Sequence, residues 1–288
     1  MRTSSFLATA AAFSALTVGV LIPVQEAQAQ GNTPQDFVAP AVFQVAGPTV
    51  GSIQGTVEAY RTALGQTNNG NAAGPLSGGH REINWDGGST SNQSTTISGS
   101  PFAGFQITRG ALFTTPDGTE FVQAPPAADP ASFPPGGLAG LFNNATYGTI
   151  FQAFSLRRLF SAIDGKVTDI DFFVPGGGGI AATVNGFGAV FTDVDQPDGS
   201  GPGQKQGNRD ASTLIEYFGT DGGLLFSSFV PASPGNGSVS FLGVVFEDAR
   251  IARVRITSGN VAPGPDDGDQ NDVVMMDDFL YGEPHPAP

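Results

Sequence analysis

Carboxylates are the side chains here with the clearest chemical potential, and they fall in two tight groups. Asp193, Asp195 and Asp198 follow an apolar run and end at Gly199. Asp267, Asp269, Asn271 and Asp272 precede another apolar run, and Asp278 lies inside it. Six of the 26 acidic residues fall within 266–278, so part of the net charge is a local cluster. Alternate carboxylates in a glycine-bounded turn can aim several oxygens at one point. A hard cation such as Ca²⁺ needs that, because it takes six to eight oxygen ligands. Counted from Asp267, Asp278 occupies the twelfth position of an EF-hand loop and apolar Val274 the eighth. Asp272 stands where that loop requires glycine, and Pro263 and Pro265 forbid the entering helix. The expectation is a calcium loop in a β protein, with Asp193, Asp195, Asp198, Asp267, Asp269, Asn271, Asp272 and Asp278 as candidate ligands. The plainer alternative is a solvated acidic loop that aids solubility.

A second dense polar stretch is His80-Arg81-Glu82-Ile83-Asn84-Trp85-Asp86. On a strand, Glu82, Asn84 and Asp86 would share one face, and Ile83 and Trp85 the other. Two carboxylates so placed could be the acid and nucleophile of a glycosidase. The order is a near miss to the E-x-D-x-x-E motif of laminarinase-like glycosidases: the final Glu is missing and the middle position is Asn. The structural alternative buries Trp85 and pairs Arg81 with a neighbouring carboxylate. Other catalytic templates are absent: there is no G-x-S-x-G elbow, P-loop or G-x-G-x-x-G after a strand. Two histidines and no cysteine exclude the common zinc constellations and any thiolate nucleophile.

Those residues must be held by short elements. The 288 residues include 41 glycines and 22 prolines, which break the chain too often for long helices. Ile53, Val57, Tyr60 and Leu64 form one helical stripe, with Thr49 as N-cap and Gly65 as stop. In the second half, runs at 167–174, 181–194, 212–218, 224–230, 239–246, 251–257 and 273–281 predict closely spaced strands. Arg253 and Arg255 alternate with apolar neighbours, so one face there is wet. Shorter strands are predicted near 41–45, 82–85, 103–107, 110–114, 119–123 and 149–154. The fold class predicted is all-β: a jelly-roll-like β-sandwich with one short N-terminal amphipathic helix.

The ends and the charge bear on location. Met1-Arg2, the apolar run Phe6–Ile22 and Ala27-Gln28-Ala29 read as a signal peptide over 1–29, cleaved near Ala29/Gln30. A leader with the helix over 30–74, a sandwich over 75–284 and a tail over 285–288 complete the expected organisation. The mature chain is expected to be secreted or periplasmic, with no membrane anchor. Its net charge of −14 repels phosphate, so nucleic acid is excluded as a partner class. With no cysteine, core packing, bound cations or both would have to supply the stability of an exported chain.

Several segments resemble a known group. Phe187–Asp195, Thr213–Phe218, Phe241–Val244, Ile251–Ile256 and Asp277–Gly282 look like the jelly-roll module of exported bacterial proteins, including PEP-CTERM-type surface proteins. Arg81–Gly87 and Arg109–Pro116 resemble the amino-terminal part of such proteins. The Pro-Glu-Pro, hydrophobic and basic sorting tail is missing, so the resemblance implies release rather than anchoring. Similar jelly rolls, concanavalin-like and galactose-binding-like, include carbohydrate-binding modules, often with a structural calcium near the final strand. The expected function is therefore non-catalytic binding of an extracellular glycan or matrix component, with calcium-stiffened loops. Trp85, Tyr147 and Tyr217 are candidate sugar-stacking aromatics, with a place in the core as the stronger alternative for each. A glycoside hydrolase or lyase using Glu82 and Asp86, and a purely structural surface protein, are the competing expectations.

Overall fold

Fifteen strands and four short helices make up the described part of the chain, a computed structural model covering residues 39–87, 95–116, 118–127, 136–195, 213–268 and 271–288. The expected signal peptide lies outside the described residues. Two antiparallel sheets dominate. The larger runs β1 (Ala41–Gly47), β12 (Val239–Val245), β9 (Gly186–Thr192), β14 (Met275–Gly282), β6 (Leu159–Ala162), β5 (Phe121–Ala124) and β3 (Thr96–Ser98), with β2 (His80–Ile83) also paired to β14. The smaller runs β11 (Leu224–Phe229), β10 (Leu214–Phe218), β13 (Arg253–Thr257), β7 (Val167–Phe172) and β4 (Ala111–Thr114). A short ribbon joins β8 (Ala182–Thr183) to β15 (His285–Pro286).

The main core lies between the two sheets. Phe113, Ile170, Tyr217, Val254 and Ile256 from the smaller sheet meet Phe160, Phe187, Phe191, Leu242, Phe279 and Tyr281 from the larger. The outer face of the larger sheet is covered as well. Helix α1 (Val50–Leu64) lays Ile53, Val57, Tyr60 and Leu64 on Val190, Phe241 and Leu280. Beside it, the short helices α3 (Gly137–Leu141) and α4 (Tyr147–Ile150) cover Val122, Leu159 and Met275. A sheet buried on both faces needs nearly continuous apolar strands, and β9 (GFGAVFT) and β14 (MMDDFLYG) are buried at every position. The smaller sheet has a polar outer face. There Arg253 pairs with Asp171 at 2.7 Å and Arg255 with Asp169 at 2.8 Å.

The all-β sandwich and the α1 stripe agree with the sequence expectation. β1, read as a leader or edge strand, is the edge strand of the larger sheet, and α1 covers that sheet's outer face. Several local expectations do not hold. The strand near 82–85 is β2 and stops at Ile83, because Trp85 takes φ 62°, a left-handed conformation that no strand continues. The strand near 103–107 is replaced by α2 (Gln106–Arg109), capped by Gly110 at φ 78°. Residues 149–154 begin inside α4 and continue as irregular chain. The long run 181–194 breaks at Val184 and Asn185 into β8 and β9. β3 and β6 were not anticipated: three and four residues carry too little periodicity to register.

Gly188 and Gly243 face each other across β9 and β12, and the ring of Tyr60 fills the space over them. A Cβ at Gly243 would stand 2.6 Å from that ring. Gly55, within α1, has nothing within 4 Å of its Cβ direction. Two glycine-to-alanine changes should therefore have opposite signs in urea unfolding. Gly243→Ala lowers the unfolding free energy by about 1–3 kcal/mol through overpacking. Gly55→Ala raises it by about 0.5–1 kcal/mol, because Ala loses less backbone freedom in a helix.

Candidate metal centre and the neighbouring carboxylate cluster

The two acidic loops, more than 70 residues apart in the chain, meet at one end of the larger sheet. β9 and β14 are antiparallel neighbours, with Met275 opposite Thr192. The chain leaving β9 and the chain entering β14 therefore sit together. Asp193 follows β9 with φ 69°, a conformation Asp tolerates better than most residues. The Asp195 N–H donates to Asp272 Oδ1 at 3.2 Å, which ties the loops directly. Gly235 N–H donates to Asp195 Oδ1 and Val273 N–H to Asp267 Oδ1, each at 2.9 Å. Asp272 N–H donates to Asn260 Oδ1 at 2.9 Å. Tyr147 braces the same loop: its hydroxyl donates to Pro265 O at 2.8 Å and accepts from Gly264 N–H at 2.7 Å.

Asp193 is the outlier in this group. It is fully buried, and neither carboxylate oxygen has a hydrogen-bond partner. A buried carboxylate in that condition costs several kcal/mol unless a proton or a cation neutralises it. Burial, then Asp267, Asp195 and Asp272, push its pKa up to about 9. Burial also lifts Asp267 to about 6, against the N–H of Val273 that favours its charged form. Asp193, Asp195, Asp267 and Asp272 could thus supply carboxylate oxygens to one hard cation. As the side chains stand, no three carboxylates or imidazoles among the described residues form a ready metal cage. Asp198 and Asp269 lie outside the described residues. Asn271 closes a tight turn with Gly268, and its Nδ2 donates to Asp266 O at 3.0 Å.

Asp278 belongs elsewhere, which corrects its place in the expected ligand set. Its pairing with β9 is interrupted: the register shifts between Met276 and Phe279. Neighbours on a regular strand point to opposite faces, whereas this bulge lets Asp277 and Asp278 both reach Ser155. Ser155 Oγ donates to Asp278 Oδ1 at 2.5 Å, and Phe154 N–H to Asp277 Oδ2 at 2.6 Å. Burial and the adjacent Asp278 hold the Asp277 carboxyl well above the usual range. Burial also raises Asp278, with the Ser155 hydroxyl opposing. From α1, Arg61 reaches Glu82 at 2.8 Å and Asp278 at 3.5 Å. His80 sits between Gly65 O at 2.5 Å and Glu82 Oε1 at 2.7 Å. Burial would raise the Glu82 pKa, but hydrogen bonds from His80 and Arg61 outweigh it and hold Glu82 at about 2.

Glu82 and Asp86 do not share a strand face, because the chain turns at Trp85 between them. Asp86 Oδ1 instead accepts the N–H groups of Arg157 and Arg158 at 3.2 and 3.0 Å. The three candidate sugar-stacking aromatics take the alternative reading, as core residues with no open ring face. Trp85 lies flat on Phe160 at 3.7 Å and donates its indole N–H to Asp277 O at 2.9 Å. Tyr217 donates to Phe187 O at 3.3 Å, and Tyr147 packs on Phe151. All three are at most 1% exposed. Arg81, by contrast, makes the ion pair that a structural strand would require, a buried two-pronged contact with Glu283 at 2.7 Å.

Residue spacing revealed each acidic loop but not their meeting, which depends on β9 pairing with β14. Arg61 and Ser155 had no sequence signal beyond their types. No family model, curated protein or solved structure matches the chain. Among the described residues, no helix is long and apolar enough to cross a membrane.

The Glu82 contacts set a pH dependence. Its pKa falls from 4.5 to about 2 on folding, so it contributes stability above pH 4.5 that is lost as the pH falls toward 2. Asp277 has the opposite sign: its pKa rises above 3.8, so its contribution is complete below that pH and declines as the pH rises. Unfolding free energies of Glu82→Gln should therefore show a shallower loss on the acid side. Those of Asp277→Asn should decline less as the pH rises above 3.8. Parallel pH curves for wild type and variants would contradict both assignments.

Proposed function

We propose that this chain is an exported, non-catalytic β-sandwich that binds Ca²⁺ through Asp193, Asp195, Asp267 and Asp272. The loops so braced serve binding of an extracellular glycan or matrix component. The observation that carries the calcium reading is Asp193, a fully buried carboxylate with no hydrogen-bond partner, set among three further aspartates. A divalent cation would turn mutual repulsion into shared coordination. It would also join the end of β9 to the start of β14, adding a cross-link in a chain without cysteine. Export is supported by the basic start, apolar run and A-x-A site over residues 1–29. The binding role is supported by the polar outer face of the smaller sheet, where the Arg253–Asp171 pair, Arg255 and Phe218 line a cleft of about 310 Å³.

Thermal melting with calcium and with a chelator tests the metal. At 100 times the dissociation constant, bound calcium adds about 2.7 kcal/mol, or about 5–10 °C for a domain of this size. Asp193→Asn should melt no lower than the wild type in chelator, because the amide replaces a carboxyl that burial already holds protonated, and it should lose the calcium shift. An unchanged wild-type melting curve would remove calcium from the proposal. A glycan array read with and without calcium tests the binding role, and silence in both conditions would remove that half.

A further inference from the structure

A second cleft, of about 370 Å³, opens where β3, β5 and α2 meet the chain entering β6. Arg158, the residue before β6, lines it. Its side chain is 1% exposed as part of the whole residue, yet no carboxylate stands within 4.0 Å of its guanidinium among the described residues. Nη2 donates to Gly87 O at 2.7 Å, and Nε has no hydrogen-bond partner. Asp86 acts on it only from beyond ion-pair distance, and its own Oδ1 is taken by two backbone N–H groups. Burial of a cation without a partner is costly, and here burial pulls the guanidinium pKa below its usual value. The cost is met if an anion enters the cleft that Arg158 lines and pairs with its guanidinium.

The other walls narrow the kind of anion. Phe102 and Phe105 line one side, edge-on to each other at 5.8 Å. Phe105 is held in turn by Trp85 at 5.7 Å, so the wall is fixed by the core. Ser98 and Gln123 bring a hydroxyl and an amide, and Arg109 adds a second cation, oriented by Asn71 Oδ1 at 3.0 Å. A hydrated inorganic ion has no use for a phenylalanine wall. A sugar ring has an apolar C–H face for the aromatics and hydroxyls for the polar groups, and a uronic acid adds a carboxylate for the guanidinium.

We infer that the Arg158 cleft is a binding site for the carboxylate of a uronic-acid residue in an acidic glycan. The inference rests on the glycan reading above and names its chemical class. It also gives a physical reason for Arg158: a buried, planar donor fork matches a carboxylate in a way a neutral residue cannot.

The full chain, with calcium in excess, is titrated with free glucuronate, with glucose and with acetate, and followed by amide NMR. Glucuronate should shift the resonances of Ser98, Phe105 and Gln123. Acetate should bind at least tenfold more weakly, and glucose should leave the cleft unchanged. Arg158→Met should retain or exceed the wild-type melting temperature, since it removes an unpaired buried charge, and should weaken glucuronate by roughly tenfold to a hundredfold. If Arg158→Met does not fold, Arg109→Gln serves as the second variant and should weaken glucuronate at least threefold. No response to glucuronate at these residues, or equal response to glucose, overturns the inference. A glycan array positive only for neutral sugars would overturn it as well while leaving the broader glycan reading intact. A silent array with a positive glucuronate titration would do the reverse.

Discussion

Burial of the larger sheet on both faces is the constraint on which the rest depends. Five strands cover one side and three helices the other, so β9 and β14 have no wet face at all. Apolar side chains meet this without cost. Polar groups do not, and each one inside the sheet must be neutralised where it stands. Arg81 does so with Glu283, and Asp277 and Asp278 do so through a bulge, Ser155 and Arg61. The same constraint leaves room for functional groups only where strands leave the sheet. The aspartate cluster and the Arg158 cleft both lie at such places.

Two buried ionisable groups stand out because nearly every other one is matched. Among the described residues, neither Asp193 carboxylate oxygen has a hydrogen-bond partner, nor does Nε of Arg158. Direct contact between them would have neutralised both, but Asp193 follows β9 and Arg158 precedes β6, with β14 between the two strands. Three aspartates surround Asp193, whereas Arg158 has Asp86 beyond ion-pair distance and shares the lining of its cleft with Arg109. Like charges gathered around a buried ion raise its cost and make a ligand of opposite charge correspondingly favourable. The molecule as a whole carries −14, so the basic cleft is a local exception to the acidic surface. That contrast would select ligands by approach as well as by contact.

Much of the architecture is legible in the residues. The α1 stripe at Ile53, Val57, Tyr60 and Leu64 is the buried face of that helix, and seven runs in the second half correspond to strands. Both signals are local: helical spacing and dense apolar runs report burial without knowledge of the partner. Failures are equally local in cause. The stretch near 82–85 has strand-like alternation, yet the chain turns at Trp85, which takes φ 62° and stacks on Phe160 in the core. Core packing overrode a pattern that the sequence carried faithfully.

The sequence by itself determined the class of the protein: an all-β chain with one amphipathic helix, no thiol chemistry and two acidic loops. Composition and short-range spacing suffice for that, because they decide which segments can be buried and which must turn. Only the tertiary structure decided which carboxylates meet. Pairing of β9 with β14 brought Asp193 and Asp195 to Asp267 and Asp272, while a bulge within β14 took Asp278 to Ser155 and Arg61. It likewise buried the three candidate sugar-stacking aromatics and left Arg158 lining a cleft. Strand partners are chosen by the summed packing of the whole sheet, and no local pattern of residues encodes that sum.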